Sequence, residues 1–154
     1  MIEAMAVPRF IRALVAADEL LSISIDGGVS VSGEDDLDED GDCVKGHSGL
    51  PRTVALSLMS GQDENSLGLD RVTTDQMWSV KVYGRSGERF SDIKPLAHRL
   101  DALLQGARNL DTDPRFTVAR TSVLMDREQD GPNQYPYLGG IYRFLMTPES
   151  PRTP

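Results

Sequence analysis

The chain is poor in the residues from which most catalytic and metal centres are built. It has two histidines, His47 and His98, one cysteine, Cys43, and one tryptophan among 154 residues. A lone cysteine excludes an internal disulfide framework and a cysteine zinc site. No apolar run approaches the roughly 18 residues that a membrane-crossing helix needs. The opening residues, Met1-Ile2-Glu3-Ala4-Met5, have no basic stretch leading into an apolar core, so no signal peptide is expected. A basic excess is also missing. The net charge is -8, which leaves little to release counterions from a nucleic acid, and nucleic-acid binding by the fold is not expected. With 39% hydrophobic and 26% charged residues, the composition reads as one soluble, cytoplasmic domain rather than a disordered chain.

The charge that is present is unevenly placed. Glu34, Asp35, Asp36, Asp38, Glu39, Asp40 and Asp42 crowd one short segment without a base among them. Without them the net charge would nearly vanish, so the acidity belongs to one loop. Arginine outnumbers lysine heavily, since only Lys45, Lys81 and Lys94 are lysines. A planar guanidinium suits bidentate pairing with carboxylates, as at protein interfaces.

Hydrophobic spacing gives the elements. Phe10, Ile11, Leu14 and Val15 predict a helix over 5–18, with Pro8 in its first turn. Leu21-Ser22-Ile23-Ser24-Ile25 and Val29-Ser30-Val31-Ser32 alternate around Asp26-Gly27-Gly28, which predicts a small β-hairpin. Residues 33–50, with the acid run and several glycines, read as a long inserted loop. Strands are expected near 54–59, 77–83, 116–125 and 141–146, with 60–70 and 126–140 as loops. Phe90, Ile93, Leu96, Leu100, Leu103 and Leu104 predict an amphipathic helix over 90–107, with Ser91 as its cap and Pro95 in the first turn. The expected fold is α+β: a mainly antiparallel four-stranded sheet, two helices packed on one face, and the extra hairpin. One domain spans 1–146, and 147–154 form a proline-rich tail.

Few constellations could carry chemistry. Asp36-x-Asp38-x-Asp40-Gly41 matches positions 1, 3, 5 and 6 of a calcium-binding EF-hand loop. The closing bidentate glutamate is replaced by His47, and flanking helices are not expected. A solvated acidic loop is the plainer reading, and Asp36, Asp38 and Asp40 stand as a weak calcium candidate. His98 reads as a boundary residue of the second helix. Cys43 sits among acids, which raise a thiol's pKa and blunt its reactivity. Neither Gly27-Gly28 nor Gly139-Gly140 extends into a phosphate loop. No nucleophile, base and stabiliser occur together, so no catalytic residue and no cofactor are expected.

Two segments carry a resemblance. One is Trp78-Ser79-Val80-Lys81-Val82-Tyr83, leading through a short turn into the helix that begins near Phe90. The other is the closing Tyr137-Leu138-Gly139-Gly140-Ile141-Tyr142-Arg143-Phe144. Together with the order of elements they resemble the tail terminator (tail-completion) proteins of long-tailed bacteriophages, over most of the chain up to Met146. The hairpin and the loop 33–50 lie outside that pattern. The resemblance implies a virion protein, assembled in the host cytoplasm, that forms a homo-hexameric ring. The ring would cap the head-proximal end of the tail tube and end its growth. Its implied partners are the tail tube protein and a capsid neck or head-completion protein, with genomic DNA passing through unbound. Another head–tail connector component, such as a head-completion or stopper protein, is the alternative. A calcium-binding interaction module is a third reading.

Overall fold

The computed structural model describes residues 6–31, 52–65, 72–105, 107–109 and 115–147. Helix α1 spans Ala6–Ala17 and buries Val7, Ile11 and Val15 at the expected spacing of four. It stops where the Asp18 N–H donates to the Leu14 carbonyl (3.1 Å). Asp18 then opens a second helix, α2, Glu19–Ser24, by accepting the Leu21 N–H on its carboxylate (3.1 Å). The hairpin expected at 21–32 is therefore not formed. Leu21 and Ile25 are buried while Ile23 is 74% exposed. An alternating run contains an i, i+4 pair, so it serves a short helix as well as a strand, and the cap at Asp18 decides between them.

The second half of the expected hairpin becomes β1, Val29–Val31, which pairs in parallel with β2, Thr53–Asn65. Strand β3, Val72–Tyr83, runs antiparallel to β2. Helix α3, Phe90–Leu104, follows, then β4, Arg108–Asn109, β5, Arg115–Asp130, and β6, Asn133–Thr147. The sheet has six strands in the order β1-β2-β3-β6-β5-β4. The α+β class stands, but the sheet is mixed rather than four antiparallel strands, and three helices pack on it rather than two.

The strands also outrun their expected limits. Residues 60–65 lie in β2, and 126–130 and 133–140 lie in β5 and β6, where loops were expected. In both hairpins backbone pairing continues past the core, through polar residues such as Ser60, Gly61 and Gln62 that are exposed. No apolar alternation marks such a stretch. Pro136 does not break β6, because it falls one step past the last β3–β6 pair, Tyr83–Tyr137.

One core forms between the three helices and one sheet face. Val54, Leu56, Trp78, Val80, Val82, Tyr142, Phe144 and Met146 meet Ile11, Val15, Leu21, Leu96, Leu100 and Leu104 there. The Trp78 indole N–H donates to Gln76 Oε1 (2.9 Å), which satisfies both buried polar groups. At the start of α3, Asp92 rather than Ser91 caps the helix, accepting the Arg89 N–H (2.9 Å). Pro95 consequently sits in the second turn, on the exposed side.

Two glycines set how closely β6 packs. A Cβ on Gly139 would lie 1.9 Å from the Val80 carbonyl oxygen and 2.8 Å from Lys81 Cα. One on Gly140 would meet the Ser122 carbonyl at 2.6 Å and the Arg120 side chain at 2.9 Å. Gly139→Ala must push β6 off β3, at a cost of about 1–3 kcal/mol or more. Chemical denaturation of the variant checks this; an unchanged midpoint contradicts the close approach.

Asp18 also ties α2 to α3 through Arg99 (2.7 Å). The hydrogen bond from Arg99 leads in holding the Asp18 carboxyl below its ordinary value of 3.8. A lowered folded pKa stabilises above the unfolded value, and that contribution is lost as pH falls through the folded one. Asp18→Asn keeps the cap acceptor but loses the charge. Its thermal midpoint should fall less steeply than the parent's below about pH 4, measured across an acid series.

Candidate functional site

The six-stranded sheet has stepped edges. On one side β1 covers β2 only at Val54–Leu56, and no described strand pairs with the outer edge of Ser57–Asn65. On the other side β4 covers β5 only at Phe116 and Thr117. Two further bonds extend that cover: the Val118 N–H donates to the Ala107 carbonyl (3.2 Å), and the Arg120 N–H to Gln105 Oε1 (3.1 Å). Past Thr121 no described strand pairs with the outer edge of β5. Because β2 and β5 run in opposite directions, the two open stretches lie at diagonally opposite corners. Unpaired backbone donors and acceptors on such edges are templates for another strand.

Both open stretches carry exposed apolar side chains. Leu58 and Met59 are 46% and 56% exposed on β2, and Val123 and Met125 are each 63% exposed on β5. Each stretch also begins at a break in register, between Leu58 and Ser60 and between Arg120 and Ser122. The breaks reset which face each side chain takes. After the second break, Val123 and Met125 stand opposite Gly140 and Leu138, on the helix-covered face by register but beside α3 rather than beneath it.

The flank of α3 facing β5 is fixed at both ends. The Arg127 guanidinium lies 4.8 Å from the Phe90 ring centroid and donates to the Glu88 carbonyl (3.2 Å). At the other end the Tyr142 hydroxyl donates to Asp101 (2.6 Å), and Arg120 pairs with the same carboxylate oxygen (3.3 Å). Burial, and then the hydrogen bond to Asp101, push the Tyr142 phenol far above its ordinary range. It stays protonated as a donor. This trio holds a helix to a sheet and offers no nucleophile.

Among the described residues, no helix packs on the opposite sheet face. There Arg143 makes a bidentate pair with Asp75 (2.9 and 2.6 Å), and Lys81 Nζ lies 4.6 Å from the Tyr137 ring, which packs on Tyr83 at 5.2 Å. Near the β5–β6 turn, Arg85 pairs with Asp26 and Arg52 with Glu88, stitching the α2–β1 turn and the start of β2 to the turn before α3. Surface pairs of this kind contribute little individually and act by fixing geometry.

The weak calcium candidate, Asp36, Asp38 and Asp40, lies outside the described residues, as do Cys43, His47 and the tail 148–154. His98 is exposed on α3. Among the described residues, no three His, Cys, Asp or Glu side chains are grouped to hold a metal ion, and no helix is long and apolar enough to cross a membrane. Sequence reading missed Leu58, Met59, Val123 and Met125 as surface groups, because their apolar character matches that of core positions and only their place on the outer strands separates them. Comparison with protein-family models and with curated proteins finds no match to this chain.

Proposed function

We propose that this chain is a structural subunit of a phage virion that assembles into a six-membered ring. The ring caps the head-proximal end of the tail tube, ends its growth and joins the tail to the capsid neck. The observation that carries the reading is the pair of open, apolar-flanked strand edges at opposite corners of one sheet. A closed cyclic ring needs two different surfaces on each subunit, one to give and one to receive. The resemblance of Trp78–Tyr83 and Tyr137–Phe144 to tail terminator proteins supplies the rest. In this reading the chain has no catalytic residue and no cofactor, and the genome passes without specific binding.

A different neck component would share the partners but not the position. Sedimentation of the purified protein, followed by electron microscopy after mixing with tail tubes, separates the two. The expected result is a particle of six 16.9 kDa protomers bound at the head-proximal tube end only. Binding to the neck without the tube moves the assignment to a head-completion protein. A monomer that binds neither end contradicts the proposal.

A further inference from the structure

We infer that the subunits join by strand pairing between the open stretch of β2 in one copy and the open stretch of β5 in the next, making one continuous antiparallel sheet. The inference deepens the ring reading by naming the surface that closes it.

Direction comes first. Strand β2 is antiparallel to β3, β3 to β6, and β6 to β5, so β2 and β5 run oppositely. A second copy placed beside the first in the same orientation therefore brings its β2 antiparallel to the first copy's β5. Length and shape agree as well. Strand β1 blocks β2 at Val54–Leu56, and β4 blocks β5 at Phe116–Thr117. Among the described residues, Ser57–Asn65 is left open on one edge and Ser122–Asp130 on the other. The covered corner of each edge fits into the step left by the other, so neither short strand obstructs the join.

Register can then be tested on faces and charges. With Asp130 opposite Ser57 and Gln129 opposite Leu58, Met59 is the extra residue of the existing register break. Glu128 then falls opposite Ser60, Arg127 opposite Gly61, Asp126 opposite Gln62 and Met125 opposite Asp63. In this alignment Leu58 and Gly61, which pair with Trp78 and Gln76 on the helix-covered face, meet the same-face positions Gln129 and Arg127, and position 63, in register with Thr74, meets Met125. Directly opposite residues must share a face, and this register satisfies that on both sides of the break. It also sets no acidic position opposite another, although both stretches are acid-rich; like charges directly opposite would destabilise the pair.

A stepped join displaces each copy along the strand direction. Closing such a sheet requires strands tilted to the axis and a fixed stagger between neighbours, the geometry of a barrel. A ring of staggered subunits meets that condition.

The test uses the full chain with Cys43→Ser as background. Gln62→Cys and Asp126→Cys are combined in one chain; they lie on opposite edges of the sheet and cannot bridge within a subunit. Mild oxidation should give a ladder of covalent multimers on a denaturing gel, and neither single variant should. Val123→Glu with Met125→Glu, at exposed positions, sets an acid opposite Asp63 and should reduce the assembly to monomers with an unchanged circular dichroism spectrum. Rings that form without cross-linking, or that persist with both glutamates, overturn the strand pairing and leave the ring reading standing. Equal cross-linking by a single variant shows a two-fold contact and also overturns it. A parent chain that never assembles, alone or on tail tubes, overturns both.

Discussion

Strand β6 reaches its place between β3 and β5 only because positions 139 and 140 carry no side chain. The Val80 carbonyl occupies the space that a Cβ on Gly139 would need, and the Arg120 stem crosses over Gly140. Through that approach the register of three strands is set at once. It puts Tyr142 under Asp101, so that α3 is latched to the sheet, and lets Arg120 reach the same carboxylate. Farther along β5, Val123 and Met125 stay exposed although the register turns them toward the helix-covered face.

The two shortest strands shape the rest. Strands β1 and β4 add little to the core, yet each closes one corner of the sheet and leaves the other end of the same edge without a described partner strand. Natural sheets blunt exposed edges with charge, bulges and short cover strands. All three devices are present here, but only over part of each edge, and apolar side chains flank the part left open. A sheet protected along one half of each edge favours one partner geometry over indiscriminate stacking. In the proposed ring, this pattern would let each subunit add its neighbour in one direction.

Much of this fold was legible in the sequence where burial and periodicity coincide. Helices α1 and α3 and the buried face of β3, with Trp78, Val80 and Val82, follow from spacing alone. The failures have physical causes. At Leu21–Ile25 two periods coincide, and a capping carboxylate decided for a helix. At 60–62 and 126–134 the hairpin strands carry mostly exposed polar residues, where pairing needs no apolar pattern, and at 135–140 a proline and two glycines hide a strand that buries Tyr135, so both stretches read as loops. The candidate site was illegible for a related reason. Leu58, Met59, Val123 and Met125 look like core residues, and they are exposed because they lie on the outermost long strands of the sheet, which no composition reveals. The acidic candidate Asp36, Asp38 and Asp40 was conspicuous by composition and falls outside the described residues.

Hydrogen exchange read segment by segment, in the dispersed protein and in the assembled particle, tests the central claim most directly. The account predicts fast exchange of outward-facing amides in 57–65 and 122–130 when the protein is dispersed. On assembly both segments should gain protection together, while α1 and α3 change little. Edges that exchange equally fast in the assembled particle, with new protection confined to the helices or the helix-free sheet face, would contradict it.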